Sequence, residues 1–132
     1  MIAVIASVLA GLAALLHVYI FVLESVRWTT PRVWRRFGVA DQAAADTTRP
    51  MAYNQGFYNL FLAIGAAIGL VLFWVGAPES ALRVAGYTLV LFSVGSMLAA
   101  SLVLITSGRR YLRPAAIQGT LPLLAIVLFL FA

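Results

Sequence analysis

The chain has 132 residues, of which 64% are hydrophobic and only 10% charged, with a net charge of +5, a sequence pI near 10.5 and a mean hydropathy of +1.03. Soluble domains run nearer half apolar and a quarter charged, and a compact chain this small keeps much of its surface in water, so the apolar surplus has no protein interior to enter. The composition describes a membrane protein; it excludes a nucleic-acid-binding module despite the positive charge, and the lack of any cysteine excludes a disulfide scaffold.

About 20 apolar residues cross the roughly 30 Å of hydrocarbon in a bilayer, and runs of that length occur at 3–23, 55–76, 82–105 and 114–132. Each is expected to be helical, because a segment in lipid must satisfy its own backbone hydrogen bonds. The first run has no basic leader and is too long for a signal peptide. The expected fold is therefore all-α: one domain over 1–132, a polytopic membrane protein built as a four-transmembrane-helix bundle.

Along the first span, Ala3, Ser7 and Gly11 recur every fourth residue, a spacing that lets helix backbones approach. The same span carries His17 and Glu24, seven residues and about 10 Å apart on one face. Thr29-Thr30-Pro31 then supplies a cap and a proline for a first helical turn, and Gly38 a stop. Between them Val33, Trp34 and Phe37 share one arc while Arg32, Arg35 and Arg36 share the opposite one. This pattern predicts a short amphipathic helix over 31–38 at the membrane interface, with Trp34 and Phe37 in lipid and the arginines among anionic headgroups. The polar, alanine-rich stretch 41–48 reads as a connector, and Pro50 as the opening of the second membrane helix.

That helix begins with Tyr53-Asn54-Gln55-Gly56-Phe57-Tyr58-Asn59, which pairs Gln55 with Asn59 and Asn54 with Tyr58 at i,i+4 spacing. It continues through Gly65 and Gly69, a GxxxG pair. The third helix repeats small residues at Ser96 and Ala100 and carries Ser101 and Thr106, whose hydroxyls commonly bond their own helix. In the fourth, Pro122 displaces the carbonyl of Gln118 four residues back.

All nine basic residues are arginine. Arg27, Arg32, Arg35, Arg36 and Arg49 lie between the first two spans, Arg109, Arg110 and Arg113 between the last two, and Arg83 alone on the other side. The positive-inside rule puts 24–54 and 106–113 in the cytoplasm and both termini outside.

Ionisable and amide groups in a bilayer are costly, which makes them the candidate site. His17, Asn59, Ser101 and Gln118 fall at matching depth in the cytoplasmic half, with Glu24, Asn54, Gln55 and Tyr58 nearer the surface and Arg109 and Arg113 at the mouth. A cytoplasm-facing polar pocket follows if these faces turn inward.

The words Leu16-His17-Val18-Tyr19, Leu23-Glu24, Trp28-Thr29-Thr30-Pro31-Arg32, Phe37-Gly38 and Asn54-Gln55-Gly56-Phe57-Tyr58-Asn59 together resemble the small bacterial membrane proteins grouped as domain of unknown function 1304. The resemblance covers the whole chain in length and layout. It implies a four-span protein of the bacterial inner membrane and nominates the same polar residues, without assigning a reaction.

Three functional readings arise. One is binding of a lipophilic or amphiphilic small molecule with an anionic head, extended to transport only if a homodimer supplies the pathway. Another is an intramembrane enzyme with His17 or Glu24 as general acid or base. The third is a structural protein whose polar layer only fixes helix packing. Membrane lipids are the expected partners. No cofactor or metal is expected, because one histidine and no cysteine cannot form a typical zinc or iron–sulfur site.

Overall fold

A computed structural model describes residues 1–132. The chain is entirely helical between its turns: α1 (Ile2–Phe21), running into a π-helical turn (Val22–Val26); α2 (Pro31–Arg36); α3 (Gln42–Val75); α4 (Ala81–Thr106); a 3-10 turn (Arg109–Tyr111); and α5 (Leu112–Phe129). Four of these stretches, Ile2–Val26, Gln42–Val75, Ala81–Thr106 and Arg109–Phe129, are long and apolar enough to cross a membrane. The protein is a multi-pass membrane protein.

The second membrane helix starts earlier than Pro50. Asp41 caps it, its carboxylate accepting from the Ala44 backbone N–H at 2.8 Å and its carbonyl from the Ala45 N–H at 3.1 Å. The alanine-rich stretch that follows is a strong helix former, so the expected connector is helical and Pro50 lies inside α3. A proline there removes one helix donor. Nearby, Thr47 and Thr48 donate to the carbonyls of Ala43 and Ala44 at 2.9 and 2.8 Å.

By compactness the chain divides into residues 1–16 with 62–132, and residues 17–61. The first unit is a four-helix bundle of the N-terminal part of α1, the C-terminal part of α3, α4 and α5. Its core joins Ala6, Ala10 and Ala13 to Ala63, Ala66 and Phe73, then to Val90, Val94 and Met97, and to Ala125 and Phe129. The small side chains on α1 and α3 let backbones approach, as membrane helices require where water supplies no driving force.

The fully buried stripe on α1 is Ala6-Ala10-Ala13; of the expected Ala3-Ser7-Gly11 arc, Ala3 packs at the edge of the core and Ser7 Oγ accepts from Trp74 Nε1 at 3.0 Å, while a Cβ at Gly11 would meet nothing within 4 Å. The GxxxG pair does pack, inside the same chain. A Cβ at Gly69 would stand 2.7 Å from the Val90 nitrogen and 3.0 Å from the Gly86 carbonyl oxygen, and one at Gly65 2.6 Å from Ser93 Oγ. On α4 the packing face is therefore Gly86, Val90, Ser93, Val94 and Met97. Ser96 instead bonds its own helix at the Phe92 carbonyl, 2.8 Å away, and Ala100 is exposed.

Arg83, in the first turn of α4, caps α3. Its guanidinium donates to the Phe73 carbonyl at 3.2 Å and lies 4.1 Å over the Phe73 ring, so the cation meets the negative end of the helix.

Candidate functional site

The second unit, 17–61, holds most of the charged and aromatic words of the sequence. At its centre are Leu23, Trp28, Val33, Trp34, Ala45 and Ala52, with Phe37 and Val39 packed against them. Trp28 donates from Nε1 to the Ala45 carbonyl at 2.8 Å and packs its ring 5.3 Å from Phe37. Trp34 donates to Gln42 Oε1 at 3.3 Å.

The short helix appears where the amphipathic pattern puts it, and its apolar arc is only 3–4% exposed at Trp34 and Val33. That arc is sheathed by the protein's own side chains rather than left for lipid. Protein and acyl chains are equally good apolar partners for an indole, and here Trp28, Ala45 and Ala52 are within reach. Arg32, Arg35 and Arg36 remain exposed, with Arg35 lying 5.1 Å from the Trp34 ring centre.

The end of α2 is a Schellman turn. Gly38 takes φ +76°, its N–H bonds the Arg35 carbonyl at 3.1 Å, and the Val39 N–H bonds the Trp34 carbonyl at 3.2 Å. At its start Thr30 is the N-cap by position and Pro31 the first helical residue, yet the Thr30 hydroxyl makes no capping bond.

At the π-turn the helix ladder widens by one residue. The Arg27 N–H bonds the Val22 carbonyl at 2.9 Å, the i→i−5 pattern that such turns often contribute to functional sites. Across from it lies the Asn-Gln-Gly-Phe-Tyr-Asn word of α3, which meets the first helix and its turn through Gly56, Phe57 and Asn59. Gly56 admits the turn: a Cβ there would stand 3.1 Å from Glu24 Cβ and from the Ser25 nitrogen, and would collide with Ser25 Oγ. Ser25 Oγ donates to the Tyr53 carbonyl at 2.8 Å, and Phe57 packs edge-on to Phe21 with ring centres 5.1 Å apart.

Asn59 Nδ2 donates to Glu24 Oε2 at 3.0 Å and to the Gln55 carbonyl at 3.1 Å. Those two bonds use both amide protons, so Asn59 holds Glu24 and has no N–H left for a ligand. Glu24 is 8% and Asn59 7% exposed, and His17 is fully buried.

Beside the π-turn lies a cleft of about 220 Å³. Its basic rim is Arg27, Arg32 and Arg36, its floor includes Val22, Leu23 and Val33, and Tyr19 and Thr30 complete it. Arg36 Nη1 donates to the Tyr19 hydroxyl at 2.7 Å, which ties α2 to α1. No acidic side chain lines the cleft. It therefore offers cationic N–H donors, hydroxyls and an apolar wall, a combination suited to an anionic group attached to a hydrocarbon chain.

The expected site residues are thus distributed as follows. Glu24 and Asn59 are brought together, and Gln55 joins them only through its backbone. Asn54, Gln55 and Tyr58 present exposed side chains. Ser101, Gln118, Arg109 and Arg113 belong to the first unit. There Ser101 bonds its own helix at the Leu98 carbonyl, 2.7 Å away, and faces the gap left by Gly119; Gln118 is half-buried, and both arginines are exposed.

The sequence alone does not mark Tyr19, Arg27 and Thr30 as residues that line a cleft. The adjacency of Glu24 and Ser25 facing a glycine between amides was the available signal for the π-turn. Nothing in the spacing joins Tyr19 to Arg36.

No curated protein and no solved structure matches the chain. The family described as Protein of unknown function (DUF1304) matches over residues 11–130, a span that takes in the buried Trp28, the π-turn and the glycine contact opposite it, and the chain belongs to that family.

Proposed function

We propose that the protein binds an amphiphile with an anionic head and an apolar tail, seating the head in the arginine cleft. The observation that carries this reading is the lining: three guanidiniums, no carboxylate, and an apolar floor in about 220 Å³. Pockets that enclose a whole drug-sized ligand run about 300–1,000 Å³, so a cleft of this size suits a headgroup whose tail lies outside it. Glu24, bonded to Asn59, belongs to the π-turn that Arg27 closes, which ties that pair to one of the three lining arginines.

The membrane in this reading is the bacterial inner membrane, with the cleft at its cytoplasmic face. The eight-to-one arginine asymmetry supports that orientation. A reporter active only outside the cytoplasm, fused after Ala132, is expected to be active; activity confined to a cytoplasmic reporter at that position contradicts the orientation.

Binding is tested by native mass spectrometry of protein purified in mild detergent. The wild type is expected to carry an anionic amphiphile, and Arg27→Gln/Arg36→Gln to retain roughly tenfold less, since charge-assisted hydrogen bonds of this kind carry that much affinity or more. Equal retention by both proteins contradicts the reading.

A further inference from the structure

We infer that the head taken by the cleft is a phosphomonoester, recognised by Arg27, Arg32 and Arg36 together with the hydroxyls of Tyr19 and Thr30. This inference rests on the amphiphile reading above and narrows it to one headgroup chemistry.

Charge is the first discriminator. The three guanidiniums are cations, and no acidic side chain lines the cleft to balance them. A carboxylate or an ordinary phosphodiester brings one negative charge. A zwitterionic diester brings none in total, and its ammonium would have to sit beside three like charges with no carboxylate to receive it. A phosphomonoester brings about −1.5 to −2 at pH 7 and three unsubstituted acceptor oxygens, the closest match to a donor-only rim.

The hydroxyls are the second discriminator. Tyr19 accepts from Arg36 at 2.7 Å, which fixes that guanidinium and leaves the phenolic proton to donate. Thr30 stands at the helix N-cap, where a threonine ordinarily spends its oxygen on a backbone N–H. Here it makes no such bond and lines the cleft instead. Two hydroxyl donors beside three forked cations exceed what a singly charged carboxylate with two oxygens can use.

Size fits as well. A volume of about 220 Å³ is several times the roughly 30 Å³ that one water occupies in the liquid. It admits a phosphate with its ester oxygen while leaving a glycerol or prenyl chain to run over the apolar floor.

The test uses the full chain in phosphatidylcholine nanodiscs doped with phosphatidate or, separately, with phosphatidylglycerol, read by the lipids retained on mild ejection and native mass spectrometry. Phosphatidate is expected to be enriched roughly tenfold over phosphatidylglycerol. Arg36→Gln and Tyr19→Phe should each reduce that preference, whereas Arg35→Gln, on the same helix but outside the cleft, should leave it unchanged. Thermal melts of all variants separate loss of binding from loss of fold.

Equal enrichment of both anionic lipids over phosphatidylcholine overturns the phosphomonoester and leaves the amphiphile reading standing. No enrichment of either overturns both. A parallel arm adds inorganic phosphate and glycerol 3-phosphate to lipid-loaded protein in detergent. If phosphatidate resists displacement, the source is the lipid; if the soluble phosphates displace it at comparable concentration, phosphate recognition holds with a soluble source.

Discussion

Replacing Gly86 with leucine is expected to abolish the folded first unit. A Cβ at this position would stand 2.7 Å from the Leu72 carbonyl carbon and 2.8 Å from the Gly69 carbonyl oxygen, and would collide with the Phe73 nitrogen. These are backbone atoms on the facing helix, so no rotamer change relieves the clash and the helices must part. Overpacking typically costs about 1–3 kcal/mol where side chains can shift, and this contact lies beyond that range because they cannot. Against a total stability of about 5–15 kcal/mol, Gly86→Ala should lower the thermal midpoint markedly and Gly86→Leu should leave no monodisperse protein by size-exclusion chromatography. Gly11→Ala and Gly95→Ala, where a Cβ meets nothing within 4 Å, should melt with the wild type. A Gly86→Leu protein that does so too would contradict the α3–α4 packing.

Asn59→Leu should be the most damaging single change in the second unit. It strips Glu24 of its amide donor while leaving the carboxyl buried, and an unsatisfied buried polar group costs about 1–3 kcal/mol, more when charged. Removing both partners is gentler than the sum of the parts. A double-mutant cycle with Glu24→Leu is expected to give a coupling of about 0.5–3 kcal/mol, read from thermal melts in one detergent. Strict additivity would show that Asn59 and Glu24 do not act as a pair.

Much of this architecture was legible in the residues, and the failures have physical causes. The four apolar runs match the four spans because bilayer thickness sets a length that hydropathy reports directly. The turn at Gly38 was legible because a left-handed residue after a short amphipathic arc has few other uses. Helix α1 carries small residues on two arcs, Ala3-Ser7-Gly11 and Ala6-Ala10-Ala13, and only the neighbouring helices decide that the second is the one fully buried. Pro50 misled because its usual place at a helix start outweighed the helix-forming alanines and the Asp41 cap before it. For Trp34 the buried arc was readable, but lipid and protein are alike to an indole, and the choice lay in Trp28, Ala45 and Ala52 elsewhere in the chain.

The site divides in the same way. The Glu24–Asn59 pair joins residues already marked by their cost in a bilayer. The cleft depends on the extra residue in the π-turn, which shifts Arg27 in phase and leaves no periodic trace, and on Tyr19 meeting Arg36 seventeen positions away.

The most direct test of amphiphile binding is photo-cross-linking in membranes with a single-phosphate lipid carrying a diazirine close to its head, followed by peptide mapping. Adducts are expected on the segment containing Tyr19, Val22, Leu23 and Val33, and should fall when unlabelled lipid is added or Arg27 and Arg36 are changed to glutamine. Adducts spread over the exposed faces of α4 and α5, unchanged by competitor or by those substitutions, would contradict binding in the cleft.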